Sequence, residues 1–228
     1  VQKIVVVIPA FNEESAVGKV IEEIPSSVVS EIIVANNGST DNTAQVAAEK
    51  GAVVVYEPQK GYGKACLKGL EYVGQMNPLP DIVVFLDADY SDYPSELPNV
   101  VAPIIDDNAD LVIGSRALGE KERGSMTLPQ IFGNWLATTL LFWFYKQRFT
   151  DLGPFRAIRY SSLQTIQMVD ENFGWTVEMQ LKAAKLGMNC TEVPVRYKKR
   201  VGKSKVSGTV KGAVMAGYKI LYTIFKYL

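Results

Sequence analysis

The segment FLDADYSDYP, Phe85 to Pro94, sets Asp87 and Asp89 one residue apart at the end of an apolar run. In extended backbone, residues i and i+2 point the same way, so both carboxylates face one point. Left alone, they raise each other's pKa and cost stability. A divalent cation removes that cost, and Mg²⁺ or Mn²⁺ commonly takes one or two carboxylates together with substrate phosphates and water. The pattern predicts a Mg²⁺ or Mn²⁺ site whose ion bridges a nucleotide diphosphate and stabilises it as a leaving group. The competing reading makes an aspartate the N-cap of the next helix, but Asp92 and Pro94 are better placed for that.

Other residues complement an anionic ligand. In EPQKGYGKA, Lys60, Gly61, Gly63 and Lys64 combine backbone amides with positive charge at a helix start, where phosphates bind well. Lys60 reads equally as a solvated loop charge. Glu13, in PAFNEE, either borders a ligand or favours its own helix N-terminus. Arg116 closes the strand DLVIGS, with Glu120 as a competing partner, and YKKRVGKSK (residues 197–205) is a basic run that reads as a phosphate clamp or as a solvated face. Histidine is absent, which excludes Ser-His-Asp and Cys-His hydrolases. A hydroxyl acceptor would therefore need a carboxylate base. Asp151, ahead of LGPFR, and Glu178, in GWTVEMQ, are the candidates. Their structural alternatives are a cap or Arg156 partner for Asp151, and an i+4 pair with Lys182 on an exposed helix face for Glu178.

These residues need a frame, and the first half of the chain supplies an α/β rhythm. The runs KIVVVIP, EIIVAN, AVVVYE, DIVVFLD and DLVIGS read as buried strands, separated by helices over about 13–24, 40–50, 64–76 and 94–108. Continuous Val/Ile runs between helices indicate a mostly parallel sheet covered on both faces. Ligands collect beyond the carboxyl ends of such strands, where PAFNEE, NNGSTDN, EPQKGYGKA, DADYSD and SRALGEKERG lie. The first strand lacks GxGxxG, and KGYGKA lacks Walker spacing, so neither a dinucleotide fold nor a P-loop fits. After Ser115 the rhythm breaks into an aromatic-rich helix (130–145), a short strand at PFRAI, a helix over 175–186, the strand MNCTEVPVRY and a C-terminal helix. One domain results, an open α/β half with an elaborated second half.

Composition bounds the rest. Lys plus Arg and Asp plus Glu both number 24 in 228 residues, so bulk charge gives no case for nucleic acid. Cys66 and Cys190 show no CxxC spacing, which fits a reducing cytosol, and no leader is visible. The run IFGNWLATTLLFWFY is too short to span a bilayer. In the C-terminal helix, Lys211, Lys219 and Lys226 share one face, and Val210, Val214, Gly217, Leu221, Ile224 and Leu228 another. That pattern reads as a core-packing helix or as one lying flat on an anionic membrane.

Taken in order and spacing, VVVIPAFNEE, NNGSTDNT, the Lys60–Ala65 loop and DADYSDYP resemble the nucleotide-sugar half of GT-A inverting glycosyltransferases of family 2. GSR (114–116), TDLGPFRAI, GWTVEMQ and VPVRYKKRVGKSKVSGT resemble the polyprenyl- or dolichyl-phosphate sugar synthases within it. The resemblance implies a GT-A domain over 1–228, with a nucleotide-sugar half (1–115) and an acceptor half (116–228). It places Pro9, Ala10, Phe11, Glu13, Asn37, Lys64, Asp87, Ala88 and Asp89 against the donor, and Asp87, Asp89 and Ser91 on the metal. Arg116, Arg200, Lys203, Ser204 and Lys205 fall on the acceptor phosphate, and Asp89, Arg116, Asp151 and Glu178 are the catalytic candidates. The implied activity is hexose transfer from a UDP- or GDP-sugar to a polyprenyl phosphate, by a peripheral protein at the cytoplasmic face of a membrane. A glycan hydroxyl acceptor and a non-catalytic nucleotide-sugar-binding subunit are the alternatives, and the oligomeric state is open. The chain departs from the family pattern where two aspartates are usual and it has Asn36 and Asn37, which leaves UDP and GDP both open. It departs again at LPQIFGNW, where lipid-phosphate synthases often carry a further arginine and serine.

Overall fold

The computed structural model describes residues 2–106, 108–202 and 210–227. Five strands fall where the Val/Ile runs place them: β1 (Ile4–Ala10), β2 (Glu31–Asn36), β3 (Val53–Tyr56), β4 (Ile82–Phe85) and β5 (Leu111–Ser115). Every residue of β1, β4 and β5 is buried, which is why those runs do not alternate. Between them lie α1 (Val17–Glu23), α2 (Thr43–Glu49), α3 (Tyr62–Val73) and, after a 3-10 turn at Pro94–Glu96, α4 (Leu97–Asp106). The second half adds α5 (Leu128–Tyr145), β6 (Arg156–Arg159), α6 (Tyr160–Ile166), α7 (Trp175–Lys185), β7 (Cys190–Pro194) and α8 (Val210–Lys226).

The strands form one sheet in the order β3-β2-β1-β4-β6-β5-β7. Strand β6 runs antiparallel to both β4 and β5, while the remaining pairs are parallel. That insertion determines the site. Arg156, the first residue of β6, lies opposite Phe85 on one side and Ile113 on the other. The loop entering β6 is therefore delivered to the carboxyl edge of β4 and β5. On the far side, Pro194 of β7 pairs with Ser115, so the chain leaving β7 emerges at the same edge. One core cluster of this sheet packs Ile8, Val84 and Phe155 with α1 and α4. The other packs Phe85, Ile113 and Trp175 with α3, α5 and α7.

Helix α5 begins at a capping box, Thr127 with Gln130, and Pro129 fits its first turn. No helix among the described residues is long and apolar enough to cross a membrane. The C-terminal helix departs from the expected faces. Thr223 and Ile224 are buried, whereas Val214, grouped with Ile224 by spacing, is exposed together with Met215, Tyr218, Tyr222 and Phe225. Lys219 does not stand on a solvated face alone but pairs with Asp170 at 3.0 Å. Leu228 lies outside the described residues.

Candidate active site

Strand β4 ends at Phe85, and the turn beyond it uses Tyr90 at φ 60° to swing Ser91 back under Asp89. The Asp89 carboxylate accepts from the Ser91 amide (2.9 Å) and hydroxyl (2.5 Å), which fixes Asp89 Oδ1. Asp87 accepts from the Tyr62 hydroxyl at 2.9 Å. Burial, and then the charge of Asp89, push the Asp87 carboxyl up to about 7, against the pull of Tyr62, Arg200 and Arg116. Asp92 is only 2% exposed, and neither of its oxygens has a hydrogen-bond partner among the described residues. Burial and the Asp87 charge hold it well above the usual carboxylate range. The motif thus stores like-charge repulsion of the kind a cation relieves.

A cationic group already leans on this point. The Arg200 guanidinium reaches Glu13 Oε1 at 2.6 Å and Asp89 Oδ2 at 3.2 Å. Its segment is laced to the acidic turn by Lys198 N to Ser91 O and Val201 N to Asp89 O, both 2.9 Å. Two carboxylates beside a hydroxyl and a positively charged stand-in fit a Mg²⁺ or Mn²⁺ that completes its shell with phosphate and water. Asp87, Asp89 and Ser91 are the residues that would hold it.

A pH dependence follows from Asp87. Its folded pKa lies above its ordinary 3.8, so between that value and about 7 the folded protein holds a proton that the unfolded chain has lost. The metal-free protein therefore loses this share of its stability as pH rises through that window, and Mn²⁺, which needs the ionised pair, stabilises more as pH rises. Melting curves at about pH 5 and about pH 8 check this. The stability gap between Asp87→Asn and the wild type without metal should open in favour of the variant at the higher pH. A gap that closes would contradict the assignment.

Arg116 and Asp151 meet where the loops after β5 and before β6 face each other. Arg116 N and Nε both donate to Asp151 Oδ2 at 2.8 Å, and Nη2 donates to Oδ1 at 2.7 Å. Arg116, not Arg156, is the partner of Asp151. Arg156 is fully buried and donates to the carbonyls of Leu152, Gly153 and Thr176, clamping the loop that carries Asp151. Asn134 of α5 holds the same loop, giving its Nδ2 to Thr150 O and accepting from Leu152 N. Between α5 and the loop after β5 opens a cavity of about 310 Å³, lined by Ala117, Met126, Ile131 and Trp135, with Asp151 and Asn134 on its wall.

Several expected residues sit otherwise. Glu178 is 0% exposed, so its helix face is not a solvated one. It does pair with Lys182 at 2.8 Å, and it also accepts from Asp170 N and from the Tyr227 hydroxyl, tying α7 to α8. Lys64 turns to Gln59 and Glu171. The glycines of KGYGKA are packing positions: a Cβ on Gly63 would lie 1.9 Å from Asp170 O, and one on Gly61 2.3 Å from Glu171 O. The amide of Lys64 donates to Glu171 O and that of Gly61 to Asn37 Oδ1, so these two amides are engaged within the fold. Asn37 also donates to the carbonyls of Glu57 and Gln59. An aspartate could not make those two bonds, which accounts for the amide there.

Pro9 and Ala10 end β1 in the core, Phe11 lies under Lys60 Nζ at 4.7 Å, and Glu13 N donates to Thr43 Oγ1. Asn12, at φ 54°, is joined to Ser39 and Thr40, zipping the first two loops together. Ala88 is buried between the aspartates. Lys203, Ser204 and Lys205 lie outside the described residues. Tyr62 and Asn134 carry no signal in the sequence. Their partners come from distant segments, and no local spacing reveals them.

The family model described as "Glycosyl transferase family 2" matches residues 5–167. A glycosyltransferase of Mycobacterium tuberculosis, described as uncharacterized, is 35% identical over 221 residues, covering 93% of this chain and 94% of its own. The dolichyl-phosphate hexose transferase of Haloferax volcanii is 30% identical, covering 92% and 89%. Among solved structures, glucosyl-3-phosphoglycerate synthase from Mycobacterium tuberculosis, in complex with Mn²⁺, uridine diphosphate and phosphoglyceric acid, superposes with a TM-score of 0.78 at 23% identity, over 99% of this chain and 78% of that one. At that identity the likeness is one of fold, the GT-A type of α/β sheet.

Proposed function

The chain belongs to glycosyl transferase family 2, and on that premise we propose that it transfers a hexose from a nucleoside-diphosphate sugar to a polyprenyl phosphate at a membrane surface. The observation that carries this reading is the engagement of Asp151. Both its oxygens are taken by the Arg116 guanidinium and amide, and Glu178 is buried among donors of α7 and α8. Asp92 is shut beneath the bridge it makes with Tyr197. With no histidine in the chain, an acceptor hydroxyl finds no ready base. A lipid phosphate needs none, because its second pKa near 6 leaves its oxygen anionic at neutral pH.

That oxygen attacks the anomeric carbon, the bond from carbon to the diphosphate oxygen breaks, and the electron pair departs with the nucleoside diphosphate. When bound, the cation held by Asp87 and Asp89 would neutralise charge gathering on that leaving group. Arg116 and Arg200 then hold the two anionic partners together. The cavity beside Arg116, with its apolar Met126, Ile131 and Trp135, suits the first isoprene units of the acceptor and lies at the low end of ligand-binding size. The dolichyl-phosphate transferases among the relatives support the acceptor class, and the uridine diphosphate and Mn²⁺ of the structural neighbours support the donor class.

A donor screen with a short-chain prenyl phosphate and Mn²⁺ tests the reading. Turnover should require prenyl phosphate and yield a prenyl-phosphate sugar plus free UDP or GDP. Arg200→Ala should raise the KM for prenyl phosphate about tenfold, consistent with loss of a charge-assisted hydrogen bond, and change the donor KM less. Transfer only to a glycan hydroxyl would overturn the acceptor. Donor binding without any turnover would mark a non-catalytic subunit.

A further inference from the structure

Helices α5 and α8 pack side by side and turn an apolar face outward. On α5 the exposed residues are Phe132 (60%), Trp135 (58%) and Trp143 (65%), and on α8 Tyr218 (66%), Tyr222 (48%) and Phe225 (55%). Phe144 and Phe225 meet edge to face at 6.2 Å, which joins the two helices' stripes into one patch. Tyr145 of α5 also donates its hydroxyl to Tyr227 O at the end of α8, fixing the pair. Exposed aromatic surface of this extent is uncommon unless something covers it.

The chemistry of the rim selects the occupant. In a chain whose acidic and basic residues balance at 24 each, neither α5 nor α8 contains an aspartate or glutamate. Exposed cations stand beside the aromatic rings instead. Lys146 Nζ donates to Trp143 O, Arg148 lies 5.0 Å from the Phe142 ring, and Lys226 lies 5.3 Å from that of Tyr227. Indole and phenol rings flanked by lysine and arginine match the headgroup boundary of an anionic bilayer, where rings sink and cations meet lipid phosphates. A protein partner of matching charge would need acidic groups against that rim and an apolar groove for the rings, whereas a bilayer offers both without shape. We infer that the joint α5/α8 face is the surface by which the protein lies on an anionic membrane. Trp135 and Ile131 belong both to this region of α5 and to the cavity beside Arg116, so the docked protein opens that cavity toward the lipid. This last step rests on the polyprenyl-phosphate reading, while the docking face does not.

Co-sedimentation of the full chain with phosphatidylcholine vesicles, with and without phosphatidylglycerol, tests it. Binding should need phosphatidylglycerol, and brominated lipid should quench the exposed tryptophans. Phe132→Ser with Trp143→Ser and Tyr222→Ser should lower partitioning at least tenfold, roughly, through lost apolar burial. Lys226→Glu and Arg148→Glu should each lower it roughly fivefold. All of these side chains are exposed, and far-UV circular dichroism checks that the variants fold. Wild-type protein that ignores both vesicle types, or variants that bind as before, would overturn the inference. So would a solution dimer by light scattering that the triple variant dissolves, since the face would then belong to a second copy. The triple variant should retain transfer to a water-soluble, short-chain prenyl phosphate without vesicles, and its loss there would also overturn it. Vesicle binding by a wild type that transfers nothing to any prenyl phosphate would instead sink the acceptor reading and leave the docking face standing.

Discussion

Asp87→Asn is expected to lower sugar transfer by about a thousandfold or more while leaving a folded protein whose metal-free form is no less stable than the wild type at about pH 8. The two halves of that result have one cause. Asp87 and Asp89 are held close enough that burial and mutual repulsion lift the Asp87 carboxyl to about 7. An amide of the same shape still accepts from the Tyr62 hydroxyl, so the local packing survives. It removes the repulsion, which favours the empty state, and it removes half of the charge that would grip a cation, which costs the leaving group its stabilisation. Losses of this size are typical when a preorganised charge contact made in the transition state disappears, roughly 4 kcal/mol. Initial rates at saturating Mn²⁺, set beside melting curves in chelator, measure both halves. Transfer within about tenfold of wild type would remove the acidic pair from the chemistry.

Much of this arrangement is legible in the chain because it is local. The Val/Ile runs fix β1, β2, β4 and β5 to within a residue or two, and an i, i+2 pair of aspartates after a strand advertises its own direction. What escaped reading is non-local. Strand β6 looks like any short apolar strand, yet its antiparallel insertion between β4 and β5 is what carries Asp151 to Arg116. Helix α6 is too short and too polar at Tyr160–Ile166 for periodicity to announce it. The glycines of KGYGKA show the limit most sharply. Glycine next to lysine at a helix start suggests phosphate, but here the missing side chains admit the backbone of Asp170 and Glu171. Which backbone approaches a glycine is decided by the fold, not by its neighbours in sequence. The spacing of α8 misled for a similar reason: Ile224 and Val214 share a face on paper, but Ile224 is buried in the core that α8 shares with α5 and α7, while Val214 is exposed.

Arg116→Ala is expected to destabilise the protein by about 3–5 kcal/mol and to lower transfer about a hundredfold, with Arg116→Lys restoring little of either. Asp151 is almost wholly buried, and the arginine supplies its compensating charge through a fork of two side-chain bonds and one backbone bond. Truncation leaves that carboxylate buried and unpaired, and a single ammonium cannot repeat the fork. The same pair separates the two acceptor chemistries. If Asp151 were a base for a hydroxyl, Asp151→Asn would abolish transfer, and kcat/KM of the wild type would fall toward low pH along a limb that the variant lacks. As a positioning residue that orients Arg116 toward the acceptor phosphate, Asp151→Asn should instead cost roughly tenfold in kcat/KM, chiefly through the acceptor KM, because the amide oxygen still accepts from Arg116 while the charge is gone. The shape of the pH profile should then be shared by wild type and variant, since both read the ionisation of the acceptor phosphate near 6. A profile that loses its acidic limb in Asp151→Asn would return the base to this residue and the hydroxyl to the acceptor.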